Sequence, residues 1–122
     1  MLVDHYFARL ETLIDSCSDI RSTTIHKDRR ANYIGYFRAD LHFYDTSMLH
    51  VREFVFTHPE ATKDAYVYHY QNPTGQMLFR YDNTRHFPDL PNFPHHKHTP
   101  ESVLSVLEPD LQYVLDEILN ML

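Results

Sequence analysis

Histidine and proline are concentrated between Arg80 and His98, where four of the ten histidines and three of the seven prolines stand. Imidazole is the only side chain whose unperturbed pKa lies near neutrality, so these histidines can transfer protons or bind a metal at cellular pH. Pro88, Pro91 and Pro94 fix φ and remove backbone donors, which excludes a regular helix or a central strand. The segment is therefore predicted to be an ordered loop that carries its side chains outward.

Metal-independent cleavage of RNA is one chemistry that fits these side chains. A base removes the proton of the 2′-hydroxyl, an acid protonates the leaving 5′-oxygen, and a cation stabilises the charge of the phosphorane. His86 is predicted to form the acid–base pair with one of the three later histidines, and Arg80, Arg85 or Lys97 to bind the phosphate. The residues predicted to be catalytic are His86, His95, His96, His98, Arg80 and Asp82.

Aromatic and polar side chains near these histidines are predicted to hold the RNA. Tyr68 and Tyr70 precede the segment and could stack an unpaired base, as aromatic side chains do in single-strand RNA recognition. The predicted substrate-binding residues are Tyr68, Tyr70, Tyr81, Asn83, Arg85 and Lys97.

Other uses of the histidines stay open. His96 and His98 could share one face of an extended chain, and with Asp82 they offer the nitrogen and oxygen ligands that zinc or manganese accepts. Alternatively, several histidines donate hydrogen bonds to backbone carbonyls and only brace the loop. A non-catalytic module that binds a protein partner is a further alternative. The favoured expectation is a site that needs no metal or other cofactor.

Charge is distributed unevenly along the chain. The net charge is −6, and residues 101–122 alone carry −5, because they contain five acidic residues and no Lys or Arg. Residues 21–38 hold five Lys or Arg and one Asp, which gives +4. The overall charge argues against a grip on nucleic acid by the whole protein, but the basic segment is sufficient for a local patch that attracts phosphate.

Composition predicts one domain over residues 1–122, with enough apolar residues (43%) to bury a core without staples. The single cysteine, Cys17, excludes an internal disulfide and a thiolate zinc cage, which fits a reducing compartment. No apolar run approaches membrane-spanning length, so no membrane contact is predicted. The expected location is the cytoplasm.

Periodicity predicts two helices and several strands. Residues 2–16 and 109–121 carry apolar side chains three and four residues apart, as amphipathic helices do. The predicted strands are 33–44, 48–56, 65–71 and 76–82, with a weaker one at 20–25. Residues 26–32, rich in charge and histidine, are predicted to be a loop. The predicted fold is α+β, an antiparallel meander sheet of about four to five strands packed with an N-terminal and a C-terminal helix.

Two hairpin registers follow from the turns. A three-residue turn at 45–47 would pair Asp40 with Arg52. The Asn-Pro-Thr-Gly turn of the next hairpin would place Tyr68 opposite Arg80. The side chains predicted to share one face, as the floor of a site, are Tyr66, Tyr68, Tyr70, Arg80 and Asp82.

A long ordered motif runs through the histidine segment and comprises Phe79–Asn83, His86 and Phe93–His98. A Tyr-His-Tyr run before the turn and an acidic, leucine-rich C-terminal segment accompany it. In these features the chain resembles the TumE family of small prokaryotic toxins, the toxin half of toxin–antitoxin pairs. It departs from the family pattern Asp-Asn-x-Pro-His-His, because Arg85 and Phe87 replace the proline and the second histidine.

The resemblance implies a type II toxin with a dedicated protein partner. The partner would be a cognate helix-turn-helix antitoxin, normally encoded by the neighbouring gene. The suspected activity of the family is cleavage of RNA, so the resemblance favours an endoribonuclease-type hydrolase over the binding module. The oligomeric state, a homodimer included, stays open.

Overall fold

The N-terminal apolar pattern folds into helix α1, Val3–Asp15, in the computed structural model, which describes all 122 residues. Val3, Phe7, Leu10 and Ile14 are buried, because a helix brings this spacing onto one face. The predicted N-terminal helix is therefore confirmed within one residue at each end.

The C-terminal pattern forms helix α2, Leu111–Leu119. The carboxylate of Asp110 accepts a hydrogen bond from the backbone N–H of Tyr113 at 2.8 Å, which caps the first turn. The buried residues of α2 are Leu111, Val114, Leu115 and Ile118. Neither helix is long and apolar enough to cross a membrane.

The strands form one antiparallel sheet in which each strand pairs with its neighbours in sequence. They are β1 Ile20–Ala31, β2 Ile34–Phe43, β3 Met48–Phe56, β4 Thr62–Gln71, β5 Met77–Asp82, β6 His96–His98 and β7 Val103–Ser105. The predicted α+β class and meander topology are confirmed, but the sheet has seven strands instead of four to five.

Two strands extend into segments that were predicted to be loops. The first half of β1 agrees with the weaker strand predicted at 20–25. β1 continues through residues 26–31, where every residue is exposed, so the alternation that marks a half-buried strand is missing. Pairing with β2 holds this edge strand in place. β6 lies between β5 and β7, and the prediction of an outward loop is wrong there. Its backbone can pair because the prolines that exclude strands end at Pro94 and resume only at Pro100.

The two faces of the sheet differ in covering. Both helices pack on one face, where they join the inward side chains of β2 to β5 in a core of 20 residues. The opposite face, called here the outer face, carries a cross-strand row of polar side chains. The row runs through Asp40, His50, His69, Arg80 and His98, each directly opposite the next.

The hairpin between β2 and β3 closes in a different register from the predicted one. Asp40 pairs with His50, not with Arg52, and the other pairs are displaced by two residues in the same way. Thr46 has a φ of 69° and ends a short loop one residue earlier than predicted. A shift of two residues keeps each side chain on its face, so the buried residues of both strands are as predicted.

The hairpin between β4 and β5 contains a bulge between Tyr70 and Gln71. The bulge shifts the register by one residue, so that Tyr68 lies opposite Tyr81 and the predicted pairing with Arg80 is wrong. A one-residue shift moves side chains to the other face of a sheet. The three tyrosines of β4 therefore face the core, while Arg80 and Asp82 project from the outer side.

Candidate functional site

The site is built on the pairing of β5 with β6. Asp82 lies directly opposite His96, and Arg80 lies opposite His98. Because side chains alternate along a strand, all four project from the same side of the sheet. The residue between each pair, Tyr81 or Lys97, projects toward the helices. Four of the six residues predicted to be catalytic are thus brought together by one strand pair.

Asp82 is the buried anchor of this cluster and is only 2% exposed. Its Oδ1 accepts hydrogen bonds from the Thr84 backbone N–H at 3.0 Å and from the Thr84 hydroxyl at 2.8 Å. Its Oδ2 accepts one from Arg80 Nε at 3.0 Å. Burial raises the pKa of Asp82, but the bonds from Thr84 and Arg80, with His96 nearby, outweigh it, so the pKa lies below its usual value. The carboxylate is therefore charged at neutral pH.

His96 is 1% exposed, and its two ring nitrogens have different surroundings. Nδ1 donates to the Pro94 carbonyl at 2.9 Å, so this nitrogen carries a proton, because a carbonyl only accepts. Nε2 lies 2.8 Å from Asp82 Oδ1, yet it makes no well-aligned hydrogen bond and is buried. The bracing role considered from sequence holds for Nδ1, and Nε2 is left as an unpartnered nitrogen aimed at a carboxylate.

His98 stands at the open side of the cluster. Its Nε2 lies 3.6 Å from Asp82 Oδ2, and its ring meets that of His96 edge-on at 4.7 Å between centroids. Burial lowers the pKa of His98, and the charge of Asp82 only partly opposes this. At neutral pH the ring is therefore mainly in its uncharged form, which can accept a proton.

The loop between β5 and β6 closes over the two strand histidines. The Phe87 ring packs edge-on against the rings of His96 and His98, at 5.0 Å and 5.8 Å between centroids. His86, exposed, lies beside Phe87 at 6.4 Å. Phe87, which stands where the family pattern has its second histidine, supplies an apolar cover and no proton-transfer group.

The structure sets His95 apart from this cluster. His95 Nδ1 lies 2.8 Å from the Tyr66 hydroxyl, and the two rings stack at 5.8 Å on the core side. Lys97 pairs with Glu117 of α2 at 2.6 Å, which directs its ammonium away from the outer face. Arg85 is exposed and stacks on Phe93.

The aromatic and amide residues predicted to bind substrate have structural partners in the fold. Tyr68 and Tyr70 are almost fully buried, so neither ring presents a face to an unpaired base. The Tyr81 hydroxyl donates to Glu117 at 2.7 Å on the helix side. Asn83 accepts from the Tyr66 backbone N–H at 3.0 Å. Tyr68 and Tyr70 face the core and not the site because the bulge in β4 shifts the register with β5 by one residue.

A groove of about 300 Å³ on the outer face adjoins the cluster. It shares Arg80 with the cluster and adds His50, Arg52 and His69, which the sequence analysis did not assign to any site. His50 Nδ1 lies 2.5 Å from Asp40 Oδ1, and Arg52 Nε donates to His50 Nε2 at 2.7 Å. These residues are distant in sequence, and only the register of the strands brings them together. A correctly predicted register would therefore have identified them.

The cluster also has the composition of a metal centre. Ligand atoms of Asp82, His96 and His98 all lie within 4.8 Å of one another. Two imidazoles and one carboxylate suit zinc or a non-haem iron or manganese ion. His96 would bind such an ion through Nε2, because its Nδ1 donates to a backbone carbonyl, as in many metal-ligating histidines.

Comparisons with known proteins give one match. No curated protein and no solved structure matches the chain. The family model described as Toxin TumE matches residues 10–122, which include every residue of the site and all the elements except the start of α1. The chain therefore belongs to the TumE toxin family.

Proposed function

We propose that the protein is the toxin of a type II toxin–antitoxin pair and that it cleaves RNA by acid–base catalysis with histidine. One observation carries this proposal. Accessible His98 and Arg80 stand over a buried Asp82–His96 pair, with exposed His86 on the adjoining loop. These are the group types that 2′-hydroxyl attack on a phosphodiester requires.

The solvent exposure of each side chain suggests its role in the proposed reaction. His86 and His98 can reach an RNA phosphodiester, so we assign the acid and the base to this pair. Arg80 is 38% exposed and is suited to the phosphate oxygens. Asp82 and His96 are too deeply buried to touch RNA, and they act as positioning residues. Of the six residues predicted to be catalytic, only His86, His98 and Arg80 are therefore proposed to contact the substrate.

The outer-face groove supports RNA as the substrate. Arg52 and Arg80 border it, and His50 and His69 line it. Cationic side chains along a groove bind the phosphate backbone without reading sequence. The groove meets the histidine cluster at Arg80, so an RNA strand lying in the groove would bring one phosphate beside His98.

Toxicity and RNA cleavage test this proposal together. Wild type and the variants His86→Ala, His98→Ala and Arg80→Ala are expressed with and without the neighbouring gene, and the purified proteins are incubated with labelled RNA. Each variant should lose at least about 100-fold in cleavage rate and should no longer arrest growth. His26→Ala, an exposed histidine on β1, is the matched control and should remain toxic. Equal toxicity of all variants would contradict the assigned site.

A second candidate is a metal-dependent nuclease, favoured by the buried, unpartnered Nε2 of His96 beside Asp82 and His98. In that case Asp82, His96 and His98 would hold the ion, and the ion would polarise the phosphate. Cleavage that EDTA abolishes and one divalent metal restores supports this candidate, whereas full activity in EDTA supports the metal-independent mechanism. A pure protein that leaves RNA intact but binds the neighbouring gene product would support the non-catalytic module.

A further inference from the structure

A groove of about 430 Å³ lies on the helix side of the sheet, away from the histidine cluster. It is formed by Val106–Asp110, the segment that connects β7 to α2, together with Tyr113 of α2 and Tyr81 of β5. Tyr81 faces this groove, while its neighbours in sequence, Arg80 and Asp82, face the cluster on the other side. A molecule bound in the groove would leave the proposed catalytic face uncovered.

Large apolar side chains stand exposed around this groove. Leu107 is 79% exposed and Tyr113 is 59% exposed, and both line it. Leu104, on the adjacent edge strand β7, is 44% exposed. Single exposed apolar residues are ordinary, but a concave group of them with an aromatic floor is typical of a protein-binding surface.

The charge at the groove is acidic. Glu108 and Asp110 line it, within a C-terminal region that has five acidic residues and no Lys or Arg. The two nearby lysines are already engaged. Lys97 pairs with Glu117, and Lys63 donates to the Pro109 carbonyl and to the Tyr68 hydroxyl. The groove therefore favours a ligand that combines apolar side chains with positive charge.

We propose that this groove binds a cationic, amphipathic segment of the cognate antitoxin. An apolar anchor would cover Leu107 and Tyr113, and Lys or Arg side chains beside it would pair with Glu108 and Asp110. Membership of a toxin family implies such a partner protein, and the inference shares only the partner with the proposed function, not the catalytic residues. It predicts that neutralisation and toxicity depend on opposite faces of the sheet.

Binding to the purified product of the neighbouring gene tests the groove without reference to RNA cleavage. Leu107→Asp and Glu108→Lys are compared with wild type by calorimetry at low and high salt. Leu107→Asp should raise Kd by at least about tenfold. Glu108→Lys should raise it by a similar factor at low salt, and less at high salt, because screening weakens the charge contribution. Neither residue is buried, so unchanged melting temperatures should verify that both variants fold.

Tyr44→Asp is the matched control, because Tyr44 is 67% exposed but lies in the β2–β3 turn. Its Kd should equal that of wild type. In cells, the two groove variants should remain toxic and escape neutralisation. Kd values within twofold of wild type for both variants, or no binding by wild type, would overturn the proposal. Self-association of the isolated chain that Leu107→Asp abolishes would also overturn it, because the occupant would then be a second copy.

Discussion

His96 Nε2 lies 2.8 Å from Asp82 Oδ1 across the β5–β6 pair, and both side chains are almost completely buried. The other ring nitrogen of His96 donates to the Pro94 carbonyl, which orients the ring with Nε2 toward the carboxylate. Asp82 in turn holds Arg80 and the start of the loop through Thr84. The pair thus links two strands and a loop, and it positions the accessible groups above it.

Removal of the His96 ring should destabilise the fold. His96→Ala leaves a cavity and an unpaired carbonyl, and we expect a loss of about 2 kcal/mol in the free energy of unfolding. His86→Ala, at an exposed position of the loop between β5 and β6, should change stability by less than about 0.5 kcal/mol. Urea denaturation of both variants measures the difference. Equal stability of the two would show that His96 does not brace the site.

The outer-face groove should contribute to RNA affinity through its arginines. Arg52→Ala is expected to weaken binding of single-stranded RNA and to reduce the slope of log K against log salt by about 0.7. Arg9→Ala, an exposed arginine of α1, is the control and should leave both quantities unchanged. Fluorescence anisotropy across a salt series measures them. An unchanged slope for Arg52→Ala would exclude the groove as the path of the RNA.

Tyr70 should affect stability and not RNA recognition. Its ring is buried against Phe43 and Phe79, and its hydroxyl donates to Ser47 Oγ at 2.8 Å. Tyr70→Leu is expected to cost about 2 to 4 kcal/mol of stability, because it removes core volume and a buried hydrogen bond. The RNA affinity of the folded protein should stay within twofold of wild type. A large loss of affinity with little loss of stability would instead restore the base-stacking role predicted from sequence.

Glu53 should make stability fall as pH rises. It is buried in the core side of β3, where Tyr6 and Tyr68 donate to it, and burial raises its pKa above 4.5 despite the opposing charge of Lys63. Above its ordinary pKa the carboxyl ionises first in the unfolded chain, which favours unfolding until the folded pKa is passed.

Glu53→Gln removes this titration while keeping the side-chain shape. The stability of wild type relative to Glu53→Gln should therefore be highest below the ordinary pKa of glutamate and should decrease as pH rises through the folded pKa. Thermal unfolding of both proteins from about pH 4 to about pH 8 measures the trend. A difference in stability that is independent of pH would show that the pKa of Glu53 is not raised.

Several features of the protein were determined by the sequence alone. Apolar spacing identified both helices and the buried faces of β2 and β3, because that periodicity is local and survives a shift of two residues in strand pairing. The ordered motif from Phe79 to His98 also identified the family, which the match over residues 10–122 confirms. The types of residue at the site could be named from the same stretch.

The arrangement of the site was decided only by the tertiary structure. Because of a bulge after Tyr70, the tyrosines predicted to form the floor of the site lie in the core, and Arg80 and Asp82 lie on the other face. No residue type in β4 predicts this bulge. The second half of β1 and all of β6 were also missed, since pairing with neighbouring strands holds them and their own side-chain alternation does not indicate a strand. The proximity of His50 and His69 to Arg80 also results from the pairing of neighbouring strands. Strand register depends on turn geometry, bulges and the side chains that the core buries, and it determines which side chains share a face.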